Sequence, residues 1–231
     1  MKISAIIPAA GQGARMGSST PKQFLLLQGK PILHHTLQAF TASGHVDAVI
    51  LVVPEKEFEA AESQWLQGHD IVKKIVVGGK ERQDSVYNGF CALDRDTDVV
   101  LVHDGVRPFV TPDMIRRSIE AADRYGAAIA AVPVNDTIKL SDAEGFVEKT
   151  VDRSGLWRVQ TPQAFQYAVL AQAFQKAVRD SYYGTDEGSL LEYAGKKVKI
   201  IEGSEMNIKI TRKEDLILGE AILNSGASGG E

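Results

Sequence analysis

The sequence predicts an α/β fold in which helices cover both faces of one mostly parallel sheet. Three observations lead there. Short β-branched apolar runs recur with helical stretches between them, as expected of strands buried on both faces. The turns that follow the first of these runs are rich in glycine. The 231 residues, 44% hydrophobic and 24% charged, fit one large soluble domain over 1–231, with enough core to fold without staples.

Ser4 to Ile7 is the first strand. Lys2 before the apolar stretch Ile3 to Ala10 has the look of a secretion signal, but Pro8 interrupts the stretch, and glycines with Arg15 follow, so a strand running into a loop is expected. Ile32 to Ala42 reads as a helix, Val49 to Val53 as a strand, Glu55 to Gln67 as a helix, Ile75 to Val77 as a strand and Gln83 to Ala92 as a helix. Val99 to Val102 is the next strand. Pro112 to Tyr125 is a helix whose start is marked by Thr111 as cap and Pro112 in the first turn. Ala128 to Val132 is a strand, Leu170 to Asp180 a helix, Val198 to Glu202 a strand and Lys213 to Leu223 a helix. Ser225 to Glu231 forms a Gly/Ser-rich end.

Val134 to Gln160 breaks this alternation. It reads as extended pieces, Asp136 to Leu140, Phe146 to Val151 and Leu156 to Gln160, with turns at 141–145 and 152–155. An isolated hairpin is marginally stable in water. This arm therefore needs something to pack on: the same arm of a second subunit, which is the simpler expectation, or the surface of its own domain.

Composition excludes several classes. The 26 basic and 30 acidic residues give a net charge of −4, which offers no support for a general nucleic-acid or membrane-surface binder. No apolar run approaches the ~18 residues of a transmembrane helix. The lone cysteine, Cys91, cannot form an internal disulfide, so a reducing compartment, the cytoplasm, is expected; the residue itself reads as a small buried apolar side chain.

Three turns carry the chemistry. The first, Pro8-Ala9-Ala10-Gly11-Gln12-Gly13-Ala14-Arg15-Met16-Gly17, is followed by Pro21-Lys22-Gln23-Phe24. Its glycines and alanines let main-chain N–H groups approach a phosphate. The spacing is not that of a P-loop, which needs Gly-Lys after four residues, and the third glycine is one position late for the dinucleotide fingerprint. Arg15 and Lys22 suit a polyphosphate better than a nicotinamide cofactor. The second turn, Gly78-Gly79-Lys80-Glu81-Arg82-Gln83-Asp84-Ser85, adds cations and a hydroxyl at the sheet end where open α/β folds bind ligands. In the third, His103-Asp104-Gly105-Val106-Arg107, Asp104 is placed to hold a hard divalent cation such as Mg²⁺ with substrate phosphates, or to pair with Arg107. His103 reads as a packed or hydrogen-bonded residue. The sequence shows no activated nucleophile, a pattern that suits phosphoryl or nucleotidyl transfer, where a protein mainly positions reactants and stabilises charge.

Together these turns resemble the 2-C-methyl-D-erythritol 4-phosphate cytidylyltransferases of non-mevalonate isoprenoid synthesis, from Ile3 to about Leu223. The resemblance continues through Val132-Pro133-Val134-Asn135-Asp136-Thr137-Ile138-Lys139, Gln160-Thr161-Pro162-Gln163-Ala164-Phe165 and Asn207-Ile208-Lys209-Ile210-Thr211. It implies a three-layer Rossmann-like nucleotidyltransferase fold with a projecting β-arm, a homodimer joined through that arm at 134–160, Mg²⁺, and transfer of CMP from CTP to the polyol phosphate. It further implies Arg15, Lys22 and Lys209 as catalytic cations. Pro8, Ala9, Ala10, Gly11, Gly13, Gly79, Lys80, Ser85 and Arg107 fall where the family binds nucleotide, Lys80 standing where some members carry Asp. Asp104 is implied at the metal and the acceptor hydroxyls, and Thr137 and Arg153 at the acceptor phosphate, reaching in from the neighbouring subunit. A ribitol 5-phosphate cytidylyltransferase shares the nucleotide turns, and a nucleotide-binding regulatory module without turnover is the alternative of another class. Intact Lys22, Asp104 and Lys209 argue against the module.

Overall fold

The computed structural model describes residues 1–11, 21–61 and 68–226. Its centre is a seven-stranded sheet formed by β1 (Ile3–Pro8), β4 (Ala48–Val53), β5 (Val72–Val77), β6 (Val99–Val102), β7 (Ala127–Pro133), β10 (Trp157–Gln166) and β11 (Lys199–Glu202), in the order β11-β7-β10-β6-β1-β4-β5. The pairs β1–β4, β1–β6, β4–β5 and β7–β11 are parallel. Only β10 runs against its neighbours β6 and β7.

Side-chain alternation along these apolar strands feeds two cores. Ile7, Leu51 and Leu101 face one side, under α1 (Ile32–Ser43) and α4 (Pro112–Tyr125) through Leu37, Phe40, Ile115 and Ile119. Ile6, Ile50 and Val100 face the other, under α3 (Arg82–Cys91), α5 (Tyr167–Arg179) and α6 (Glu187–Tyr193). Local signals set the helix ends: the Thr111 hydroxyl accepts from the Met114 N–H at 3.2 Å, and Gly44 closes α1 at φ 66°. A smaller third core, Leu27, Ile32, Val106, Phe109, Ile210 and Ile222, seats α7 (Lys213–Asn224) over a short hairpin of β2 (Leu26–Leu27) and β3 (Lys30–Pro31).

The structure corrects several sequence expectations. Only the first half of the stretch read as a helix over 55–67 lies within the described residues, and it is a 3₁₀ turn, Glu55–Glu57, followed by a short helix, α2 (Phe58–Ala61). Helix α6 and the β2–β3 hairpin were not anticipated. The extended piece Leu156 to Gln160 is not the end of a free arm: from Trp157 onward it is the start of β10, which continues to Gln166 inside the main sheet. Cys91, expected buried, is exposed at the end of α3. The free part of the arm is the hairpin of β8 (Ile138–Ser141) and β9 (Val147–Val151), which pair with each other and join no other strand among the described residues. Phe146 and Val147 stand 68% and 62% exposed at its tip.

The topology explains where the turns go. Strands β1, β4, β5, β6, β7 and β11 all point the same way, so the chain leaves each at one edge of the sheet. The 9–11 turn, the 78–81 turn, the 103–107 turn and the Lys209 loop after β11 therefore share that edge, and the arm leaves and re-enters there through β7 and β10.

Candidate active site

The close approach of the first two turns depends on glycine. A Cβ on Gly78 would collide with the Ala10 Cβ and stand 3.0 Å from the Ser85 Oγ. The Ser85 hydroxyl donates to the Glu81 carbonyl and accepts from the Gly79 N–H, both at 3.1 Å. Lys22 is placed by its neighbour: the buried Gln23 amide donates to the Ala9 carbonyl at 2.5 Å, tying the 3₁₀ turn Lys22–Phe24 to the end of β1. A cavity of about 300 Å³ opens between these turns, lined by Pro8 to Gly11, Lys22, Gln23, Gly79 to Arg82, Ser85, Asp104, Val106 and Lys209.

A second cavity, about 400 Å³, lies beyond it and is lined by Arg107, Gln160, Thr161, Gln163, Thr185, Asp186, Ser189 and others. Arg82, Asp104 and Lys209 line both. They form one charged partition. The Lys209 ammonium is 2.9 Å and the Arg107 Nε 3.3 Å from Asp104 Oδ2, while the Arg82 Nε stands 3.6 Å from Oδ1. Burial alone would raise the pKa of Asp104, but Lys209, Arg82 and Arg107 outweigh it and hold the carboxyl well below the usual carboxylate range.

The partition is anchored from below. His103 is fully buried, and desolvation brings its pKa down to about 4, so the ring is neutral at pH 7. Its Nε2 lies 3.0 Å from the Arg107 carbonyl, which can only accept, so Nε2 carries the proton and Nδ1 accepts from the Thr161 hydroxyl at 3.0 Å. The Thr161 oxygen in turn accepts from the Asp104 N–H at 3.1 Å. The loop that carries Lys209 is held by Arg107, which donates to the Asn207 carbonyl at 2.7 Å, and by Asn207, whose amide donates to the Thr161 carbonyl at 2.8 Å. Arg82 makes a two-pronged contact with Glu187, 2.8 and 2.9 Å, that spans from α3 to α6. Burial favours the neutral form of each partner, raising Glu187, while Glu187 and Asp104 keep the guanidinium charged.

Of the residues expected from sequence, Pro8, Ala9, Ala10, Gly11, Lys22, Gly79, Lys80, Ser85, Asp104 and Lys209 line the first cavity together. Arg107 instead lines the second. Thr137 and Arg153 are exposed on the arm and line neither cavity, the Arg153 guanidinium donating to the Asn135 carbonyl. Gly13 and Arg15 lie outside the described residues. The sequence marks Arg82 only as one of the cations of the second turn, and Gln23 only as part of the motif that carries Lys22; Glu187 has no local signal, its partner being more than a hundred residues away.

The family model described as IspD, 2-C-methyl-D-erythritol 4-phosphate cytidylyltransferase, matches residues 3–225. A protein of that name from Syntrophus aciditrophicus is 48% identical over 225 residues, 96% of each chain. One from Pelotomaculum thermopropionicum is 47% identical over 227 residues, 97% of this chain and 95% of its own. Among solved structures, the same enzyme of Thermus thermophilus superposes with a TM-score of 0.81 at 35% identity, over 97% of this chain and 100% of its own. The 4-diphosphocytidyl-2C-methyl-D-erythritol synthase of Anaerococcus prevotii gives 0.84 at 33% identity, over 96% and 98%.

Proposed function

The chain belongs to the 2-C-methyl-D-erythritol 4-phosphate cytidylyltransferase family, and from that premise we propose that it transfers CMP from CTP to 2-C-methyl-D-erythritol 4-phosphate, releasing pyrophosphate, at the partition between its two cavities. The observation that carries this is the sharing of Arg82, Asp104 and Lys209 by a glycine-lined cavity and a polar one. CTP takes the first cavity, where main-chain groups of the 8–11 and 78–81 turns and the Ser85 helix start receive base and ribose. Lys22 and Arg15 meet its triphosphate. The acceptor takes the second cavity, with its hydroxyls toward Asp104 Oδ1, the oxygen that no hydrogen bond occupies among the described residues.

The attacking group is a phosphate monoester with a second pKa of ~6, mostly dianionic at neutral pH, so no general base is required. The obstacle is repulsion between two polyanions and the charge that builds on the α-phosphate. Fixed cations answer both: Lys22 and Lys209 are held before substrate arrives, by Gln23 and by the Arg107–Asn207 clamp, and so need little reorganisation. The residues fit Mg²⁺ carried mainly by the triphosphate, since Mg²⁺ is usually held by one or two carboxylates plus phosphate oxygens and Asp104 is, among the described residues, the one carboxylate common to both cavities. Among the described residues no cluster of three or more metal-ligating side chains forms a cage. When bound, Mg²⁺ would neutralise phosphate charge.

Thr137 and Arg153 reach an acceptor phosphate from the partner subunit, and the homodimer forms through the arm. The support is an exposed apolar tip on a hairpin that joins no other strand among the described residues. Among the described residues no helix is long and apolar enough to cross a membrane. A cytoplasmic location rests on the lone cysteine. Pyrophosphate release measured with CTP, Mg²⁺ and methylerythritol phosphate, with each omitted in turn and with ribitol 5-phosphate substituted, tests the function. Release equal with either polyol, or with none, would overturn it.

A further inference from the structure

Glu187 is 1% exposed and lines neither cavity, yet it grips the guanidinium that lines both. Its two oxygens take the NH1 and NH2 groups of Arg82 at 2.8 and 2.9 Å. That leaves the Arg82 Nε 3.6 Å from Asp104 Oδ1, too far for a hydrogen bond. Asp104 Oδ2 is already engaged by Lys209 and Arg107. Oδ1 accepts no hydrogen bond among the described residues, and the Arg82 guanidinium that stands just beyond hydrogen-bond reach of it is held by another carboxylate. The Glu187 end is itself fixed: it is the first residue of α6, whose cap Asp186 accepts from the Ser189 N–H at 2.9 Å and from the Gln163 amide at 2.6 Å.

We propose that Glu187 is a positioning residue that restrains Arg82 and so keeps Asp104 Oδ1 free for the acceptor. A guanidinium released from Glu187 has one buried carboxylate within a small movement, and a two-pronged contact with Asp104 would occupy the oxygen that an acceptor hydroxyl needs. Glu187 therefore acts through Arg82 on the second substrate and leaves the first largely untouched. The inference rests on the assignment of the acceptor to the second cavity.

Steady-state kinetics with both substrates varied test it. Glu187→Gln, which keeps the shape and removes the charge, should raise the KM for methylerythritol phosphate by roughly tenfold or more, the loss of one hydrogen bond to a charged group, while the KM for CTP stays within about threefold. If that variant does not fold, Glu187→Asp is read in its place, with the same direction and a smaller rise. The CTP KM is the control, because a general loss of structure in the variant would raise both constants together. An unchanged acceptor KM in Glu187→Gln, or a CTP KM that rises as far as the acceptor KM, would overturn the role of Glu187. If Asp104→Asn also leaves the acceptor KM unchanged, the placement of the acceptor has failed; if Asp104→Asn raises it and Glu187→Gln does not, only the restraint has failed.

Discussion

Replacing Gln23 separates the folding role of the Pro21-Lys22-Gln23-Phe24 motif from its catalytic one. The side chain is 1% exposed, and its amide donates at 2.5 Å to the carbonyl of Ala9, itself 4% exposed. Gln23→Ala leaves that buried carbonyl without its donor, a cost of ~1–3 kcal/mol, and opens a small cavity worth ~1 kcal/mol more. The sum, about 3 kcal/mol, is a large share of the ~5–15 kcal/mol that stabilises an ordinary domain, and corresponds to a melting point lower by ~6–12 °C in a chain this long. Gln23→Met keeps most of the volume and should lose only the hydrogen-bond part. Both variants release the turn that presents Lys22, so kcat should fall by roughly tenfold or more even well below the melting point. Urea unfolding and steady-state kinetics on the three proteins provide the check. Gln23→Ala within ~0.5 kcal/mol of the parent and with parental kcat would mean that this hydrogen bond neither stabilises the fold nor holds the turn that presents Lys22.

The other predictions follow from the same geometry. Lys22→Ala should lower kcat by ~10² to 10³ while calorimetry finds CTP binding much less affected, because a charge aimed at the reacting phosphate acts mainly in the transition state. His103 is neutral and buried with a pKa of about 4, against 6.5 for the free side chain. The unfolded chain therefore takes up a proton first as pH falls, and stability is fully present above pH 6.5 and lost on the way down to about pH 4, by about 3 kcal/mol in all. His34 and His69 are shifted in the same direction by desolvation and add to the slope, so the contribution of His103 is the difference between parent and His103→Gln in urea unfolding across that range; parallel slopes would contradict it. An equal mixture of Lys22→Ala and Arg153→Ala chains, unfolded and refolded together, should recover about a quarter of parental activity, since half the dimers would pair one intact core with one intact arm. No recovery above the sum of the separate variants would count against an active site completed by the partner.

Much of this was legible in the chain. Continuous β-branched runs such as Val49 to Val53 point to strands covered on both faces, and in a parallel sheet the turns after them meet at one sheet edge. Ten of the expected site residues line one cavity: parallel topology brings the strand-end turns to one edge, and the Gln23–Ala9 and Arg107–Asn207 hydrogen bonds add Lys22 and Lys209. What escaped depended on long-range partners. The strand Trp157–Gln166 reads in part like the arm that precedes it, because its first three residues are exposed; only its pairing with Val99–Val102 and Ala127–Pro133 turns it into a central strand. The seven-residue helix at Glu187 is too short for a periodic signal, and its buried carboxylate makes sense only opposite Arg82. That Arg107 lines the second cavity and not the first also depends on a distant partner, the Asn207 carbonyl to which it donates.

In the proposed function two substrates meet across Arg82, Asp104 and Lys209. The decisive measurement is a crystal structure of the protein with methylerythritol phosphate and the α,β-methylene analogue of CTP, whose carbon bridge blocks release of pyrophosphate. The nucleotide is expected between the 8–11 and 78–85 segments, the acceptor in the cavity of Thr161 and Thr185 with a hydroxyl on Asp104 Oδ1, and the α-phosphate beside Lys209. Nucleotide seated over Thr185 and Asp186, or both substrates on one side of Asp104, would contradict it.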